Sequence, residues 1–341
     1  MIDCLKKTIG FGRYIPHGMV SAIFVIMMLV YSMKSQLMLG DTDFWWHIKS
    51  GEAIAALGNI PEFDLFSFSM DKVNYQWLNI SWLWDIAYNS LYQISGLYLP
   101  IIVTGIINAF TLALLVGFML RRGAKEITVF LVFILCLSPY SYMATPRPHE
   151  ITFLMTILFY ISLHLAITQD HKKWFFGLPV LMLVWVNLHG GFVVGYTILG
   201  AYMLEAIYSR KISNIKWLGV TIVACMGATI INPLGIGVFA ASARTMLSEM
   251  LPYISEWQQL RFTSEHALHL LYMLLFLIVF NPINSKVSLA EKILSLFWVI
   301  FSLCSERNMP IGVLLSAPTM MLNIEALMAY LPAAVNSKML N

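Results

Sequence analysis

A chain of 341 residues that is 59% hydrophobic and 11% charged lies far from ordinary globular usage, which is about 45–50% apolar and 25% charged. That balance excludes a water-soluble domain. At about 20 residues per crossing the apolar content supplies roughly ten helices, so the expected fold class is all-α, a polytopic integral membrane protein. A transmembrane barrel needs short alternating segments, whereas runs such as ITFLMTILFYISLHLAI at 151–167 are continuous. The net charge of +3 says little about partners, because the sidedness of loop charge matters more than its sum. Nothing in it points to nucleic acid. Cys4, Cys136, Cys225 and Cys304 are scattered and form no C-x-x-C, so neither a disulfide frame nor a zinc site is expected.

The first apolar run, residues 19–30, follows Lys6, Lys7 and Arg13. Tyr31-Ser32-Met33-Lys34 offers no small-x-small cleavage site, so a retained first helix is expected rather than a signal peptide. Further runs at 97–120, 126–143, 150–168, 174–188, 190–208, 216–232, 266–281, 288–304 and 309–330 complete roughly ten spans. Under that scheme Lys6, Lys7, Arg13, Arg121, Arg122, Lys125, Lys172, Lys173, Arg210, Lys211, Lys216, Lys286, Lys292 and Lys338 share one side. Lys49, Lys72, Arg147, Arg244, Arg261 and Arg307 lie on the other, with Lys34 near its boundary. The positive-inside bias then puts both termini in the cytoplasm.

One integral domain, 1–341, is the simplest division. Two outer segments, 39–96 and 233–265, are too long to be turns. In the first, DFWWHIKSGEAIAAL has helical apolar spacing and stops at Gly58, and WLNISWLWDIAYNSLY reads as a second, aromatic-rich helix. Both are expected to lie in the membrane interface.

Candidate chemistry collects on the outer side. Asp41 and Asp43, followed by Trp46 and His47, suit three tasks: a general base, a divalent-cation site, or a cap on the next helix. Arg147, in the rigid turn Pro146-Arg147-Pro148-His149-Glu150, suits phosphate oxygens, with lipid headgroups or an acidic neighbour as the alternative. His189, before Gly190-Gly191, can donate to an anion or move a proton, or simply close a helix hairpin. Glu256 and Arg307 complete the set. A topology set by Lys and Arg alone delivers Asp41, Asp43, Arg147, His149, His189, Glu256 and Arg307 to one face, and converging ionisable groups at a membrane edge are functional candidates. The opposite side, with Glu205 and Glu325, is expected to show no such grouping.

The runs GDTDFWWHIKSGEAIAALGNIPEFDLFSFS, WLNISWLWDIAY, RPHEITFLM, LPVLMLVWVNLHGGFVVG, INPLG, SEWQ and SERN resemble bacterial membrane glycosyltransferases of the GT-C superfamily over about residues 39–310. In that superfamily the first extracytoplasmic loop carries an acidic pair, and Asp41 and Asp43 match its position. The resemblance implies an enzyme of the bacterial cytoplasmic membrane that moves a sugar from a polyprenyl-phosphate-linked donor to a lipid, glycan or protein acceptor on the outer side. Asp41 or Asp43 would take the acceptor proton, and Trp46, His47, Arg147, His149, His189, Glu256 and Arg307 would bind substrate. A divalent cation is the one cofactor the acidic pair suggests. Many members are longer, with a soluble outer domain, so a minimal transferase, an inactive relative and a partner-dependent subunit stay open. A transporter or lipid flippase, or a noncatalytic scaffold, would share the topology. The enzymatic reading expects an outward cavity lined by Asp41, Asp43, Arg147 and His189, whereas transport expects a sealed outer face and a central polar tunnel.

Overall fold

Helices joined by short turns account for most of the computed structural model, which describes residues 41–67, 76–169, 172–261 and 263–339 together with Gly18 and Ala22. The predicted first span lies, but for Ala22, outside the described residues, as do Lys6, Lys7, Arg13, Lys34 and Lys72. Twelve α-helices follow among the described residues. They are α1 (Thr42–Leu57), α2 (Trp82–Ser95), α3 (Tyr98–Arg121), α4 (Glu126–Tyr142), α5 (His149–Thr168) and α6 (Lys173–Leu188). After these come α7 (Val193–Tyr208), α8 (Ile212–Ile230), α9 (Gly237–Met246), α10 (Glu265–Phe280), α11 (Leu289–Cys304) and α12 (Met309–Met339).

Among the described residues five segments are long and apolar enough to cross a membrane: Tyr98–Arg121, His149–Thr168, Gly190–Tyr208, Ile212–Ile230 and Glu306–Tyr330. Glu126–Tyr142, Lys173–Leu188 and His266–Phe280 are apolar but shorter. The predicted runs thus recur as helices, with ends displaced by a few residues where a polar turn rather than hydropathy sets the boundary.

Burial ranks them. In the span segments of α5 and α12, 72% of the most apolar window is inside the protein, against 28% for α8. Ile157, Phe159, Tyr160 and Leu163 of α5 and Leu314, Leu315 and Ala317 of α12 are completely covered. These two helices form the axis around which α3, α4, α7 and α11 pack, and α8 stays peripheral.

Both helices expected in the 39–96 segment form, the second beginning at Trp82, five residues after the predicted run starts at Trp77. Asp41 caps α1 by accepting the Asp43 N–H at 3.1 Å, and Gly58 ends it at φ 69° with its N–H on the Ile54 carbonyl. A left-handed residue there suits glycine, which has no Cβ to clash. Phe44, Ile48, Gly51 and Ile54 of α1 are buried, as are Trp84, Asp85, Tyr88 and Asn89 of α2. Contact is closest at Gly51, where a Cβ would run into the backbone carbonyl of Asp85.

The far end of the bundle corrects one expectation. Ionisable groups do converge there: Arg122 at the end of α3 pairs with Glu291 of α11. Tyr160 donates to the same carboxylate at 3.1 Å, and His164 lies 3.9 Å from it. Glu291 also closes a capping box with Ser288. Charge counting missed this because the partners come from turns 169 residues apart. Glu205, expected to stand alone, accepts the Ala290 N–H at 3.0 Å, and Glu325 accepts that of Lys125 at 2.9 Å.

Gly51→Ala is expected to force α1 from α2 and lower stability by about 1–3 kcal/mol, the usual cost of overpacking, read as a fall in thermal unfolding temperature of the detergent-solubilised protein. An unchanged melting temperature would mean that the two helices separate freely.

Candidate functional site

At the end of the bundle carrying α1, α2 and α9, one guanidinium gathers three carboxylates. Arg147 sits in the turn between α4 and α5, between Pro146 and Pro148, with its own N–H on the Thr145 carbonyl. Its Nε and Nη2 each donate to Asp41 at 2.7 Å. Its Nη1 lies 2.8 Å from Asp43 and 2.9 Å from Glu256. Glu256 in turn pairs with Arg307, whose guanidinium carbon stands 5.1 Å over the Trp257 ring. Burial alone would lower the Arg147 pKa, but the Asp41 hydrogen bonds and the charges of Glu256 and Asp43 outweigh it and hold the group above its usual value.

The chain reaches this geometry from four places. Asp41 is presented by the start of α1, Glu256 by the short 3-10 turn Ser255–Trp257, and Arg307 by the 3-10 turn Glu306–Asn308. Two backbone bonds join the last two regions: Leu260 N–H to the Leu303 carbonyl at 3.1 Å, and Glu306 N–H to the Gln258 carbonyl at 3.2 Å. The cap role and the charge role of Asp41 are therefore not alternatives. One oxygen serves both the α1 backbone and Arg147. Asp43 differs, since its side chain remains half exposed.

Next to the cluster lies a cavity of about 340 Å³, within the range of about 300–1,000 Å³ usual for small-molecule pockets. Its walls are apolar, with Phe153, Trp257, Trp298, Phe301 and Ile311, and its polar positions include His149, His189, Ser242 and Arg307. Asp41, Asp43, Arg147 and Glu256 do not line it. Of the four residues expected around an outward cavity, only His189 does so, and Arg307 is the point where the charged cluster and the cavity meet.

His189 is held by a chain of donors. The Trp185 indole N–H donates to Thr152 Oγ1 at 3.0 Å, leaving the Thr152 hydroxyl proton for His189 Nδ1 at 2.7 Å. The Gly191 N–H donates to that same nitrogen at 3.1 Å. A nitrogen that accepts twice carries no proton, so the neutral ring bears its proton at Nε2. A Cβ on Gly191 would collide with Thr152 Oγ1, which explains one of the paired glycines. Burial, and then the charges of Arg307 and His47, hold the His189 pKa well below the ordinary histidine range.

His47 and Trp46 face other partners. His47 Nδ1 is 2.7 Å from Asp85, a buried carboxylate that also accepts from Asn79 at 2.8 Å. Asn79 further donates to Ser50 at 3.0 Å. Trp46 packs against Phe66 and Trp77, with ring centroids 4.7 and 5.1 Å away. Sequence reasoning missed Asp85, Asn79 and Ser242. Asp85 carried one signal, a lone acid on the apolar face of a predicted helix, which calls for a buried partner. Ser242 carried none.

The aspartates meet a guanidinium rather than converging as an oxygen cage. Among the described residues no group of three or more His, Cys, Asp or Glu side chains is arranged to hold a metal ion, so no chemistry below is routed through one. The chain matches no family model, no curated protein and no solved structure.

Removing the central cation should leave carboxylates without their counter-charge. Arg147→Ala is expected to cost about 2–4 kcal/mol in denaturant unfolding, with Arg147→Lys intermediate because it keeps the charge and loses the fork; equal stability of all three proteins would refute the hub role. For His189 the folded pKa is depressed, so between it and the ordinary value of about 6.5 the unfolded chain binds a proton that the folded chain does not. The stability it contributes is therefore complete above about pH 6.5 and falls as pH drops toward the folded pKa. His189→Gln should flatten the acid limb of a melting-temperature profile, whereas a parallel profile would sink the assignment.

Proposed function

We propose that this chain is a membrane glycosyltransferase of the GT-C type, moving a sugar from a polyprenyl-phosphate-linked donor to a lipid, glycan or protein acceptor on the outer side of a bacterial cytoplasmic membrane. In this reading roughly ten helices cross the bilayer, both termini are cytoplasmic, and α1 and α2 lie in the outer interface. The observation that carries it is the joining, through Arg307, of an ionised cluster to an apolar-walled cavity with polar groups. A phosphate-linked sugar has that same division, with its charge at Arg307 and its uncharged ring in the cavity.

In the reaction the acceptor hydroxyl oxygen bonds to the anomeric carbon as the bond from that carbon to the phosphate oxygen breaks. The hydroxyl proton goes to a carboxylate, and the electron pair leaves with the phosphate. Of the acidic pair, Asp43 is the better acceptor. It is half exposed and anchored by Arg147 through one oxygen, whereas Asp41 has both oxygens engaged and positions Arg147. Arg307, the guanidinium that reaches the cavity, meets charge growing on the phosphate.

Transport is the second reading, and the ionised group around Glu291 at the opposite end favours it. Against it, completely buried apolar residues such as Ile157, Phe159 and Leu314 lie along the axis between the two ends.

The purified full-length protein should consume a polyprenyl-phosphate sugar in the presence of acceptor. Asp43→Asn should reduce turnover at least about 100-fold, as loss of general-base assistance does, with its melting temperature kept. Full turnover in both Asp43→Asn and Asp41→Asn would remove the acid-base role; vesicle uptake of the intact lipid-linked sugar without transfer would install transport instead.

A further inference from the structure

We infer that the cavity between α5, α9 and α11 is built for the uncharged, hydroxyl-bearing part of an amphiphile, and that a phosphate is excluded from its interior and kept at the Arg307 side. This rests on the reading above for the ligand's overall nature, but the argument itself concerns donors and acceptors.

Two imidazoles face the cavity in opposite senses. His189 accepts twice at Nδ1 and so presents an Nε2 proton. His149 is the reverse case. Its Nε2 lies 2.7 Å from the Met143 carbonyl, which can only accept, so that nitrogen carries the proton and Nδ1 is left as a bare acceptor. That Nδ1 is buried and has no hydrogen-bond partner among the described residues, in a residue only 3% exposed. The carboxylate nearest this ring, Glu150, stands 3.9 Å from Nε2, so the Nδ1 lone pair stays available to a donor. The third group, Ser242 Oγ on α9, is likewise buried, unpartnered and part of the lining.

Buried polar atoms without partners are rare, and each is destabilising unless something fills it. The set offers a donor at His189, an acceptor at His149, and a hydroxyl at Ser242 that does both. An alcohol both donates and accepts and matches all three. A phosphate monoester above its second pKa of about 6 has lost its O–H and only accepts, so it would set its oxygens against the lone pair of His149 Nδ1. The nearby ion cluster adds to this, because Asp41, Asp43 and Glu256 outnumber Arg147 and Arg307. Aromatic walls from Phe153, Trp257 and Trp298 suit the apolar faces of a sugar ring.

Cys304 supplies the readout. It lines the cavity and is exposed, whereas Cys136 and Cys225 are buried. In a Cys4→Ser background, with the full chain in phosphatidylcholine nanodiscs, the rate of Cys304 alkylation by N-ethylmaleimide reports occupancy. Decyl β-glucoside is expected to slow labelling, and decyl phosphate, with the same tail, to slow it far less, since its headgroup stops at Arg307 and leaves the interior open. Ser242→Ala should leave the melting temperature unchanged or higher, since it removes an unsatisfied hydroxyl. It should also weaken glucoside protection roughly fivefold, the worth of one hydrogen bond. His149→Phe should abolish protection.

Protection by decyl phosphate equal to that by the glucoside would overturn the inference. So would no protection by either amphiphile, or protection in Ser242→Ala equal to the parent. If His149→Phe unfolds, the Ser242→Ala result decides alone. Glucoside protection in a protein that performs no transfer would refute the transferase reading and leave the hydroxyl site standing. Transfer without glucoside protection would do the opposite.

Discussion

Arg147 is the contact on which the end of the molecule carrying α1, α2 and α9 depends. Helices that pack through apolar faces can slide or rotate at little cost, because lipid tails and neighbouring leucines are equivalent surroundings. A guanidinium has fixed donor directions, and from the α4–α5 turn they reach the start of α1 and the loop ahead of α10 together. Three regions far apart in sequence acquire one relative position. The cavity inherits that position, since Glu256 carries the constraint on to Arg307 and Trp257.

The opposite end is built on the same logic with different residues. Arg122 and Glu291 pair where α3 ends and α11 begins, and Tyr160 of α5 adds a third element. Between the two ends the interior is packed rather than bonded, as α5 and α12 show. Directional contacts at both ends and shape-filling in the middle are what a helical bundle in lipid requires. Polar pairs set register where water or headgroups soften their desolvation, and the centre avoids the cost of isolated charge.

Much of this was written in local sequence. The limits of α1 followed from an N-cap aspartate and a glycine sixteen residues beyond the first helical position, and the apolar runs recur as helices because hydropathy acts on each segment separately. Lys and Arg counting also brought Asp41, Arg147, Glu256 and Arg307 to one side. Their pairing was not legible, because it depends on how turns more than 100 residues apart are brought together. The Glu291 cluster failed for that reason. Its Ser-x-x-Glu spacing reads as a helix cap, and the structure does use it so, yet the same carboxylate carries a second, long-range role. His149 and His189 were legible as residues and not as tautomers, since the identity of the protonated nitrogen is set by Met143, Thr152 and Gly191.

The two arginines also divide the electrostatic work unequally. Arg147 spends its fork on three carboxylates, so an incoming anion would have to displace partners that are themselves charged and partly buried. Among the described residues Arg307 pairs with one carboxylate and has an aromatic ring beneath it. If an anion takes Arg307 from Glu256, that carboxylate keeps its 2.9 Å bond to Arg147 and is not left as an uncompensated buried charge. Exchange at Arg307 is therefore inexpensive in a way that exchange at Arg147 is not. The cluster thus works as a fixed anchor joined to a replaceable contact, and the replaceable contact is the one that reaches the cavity.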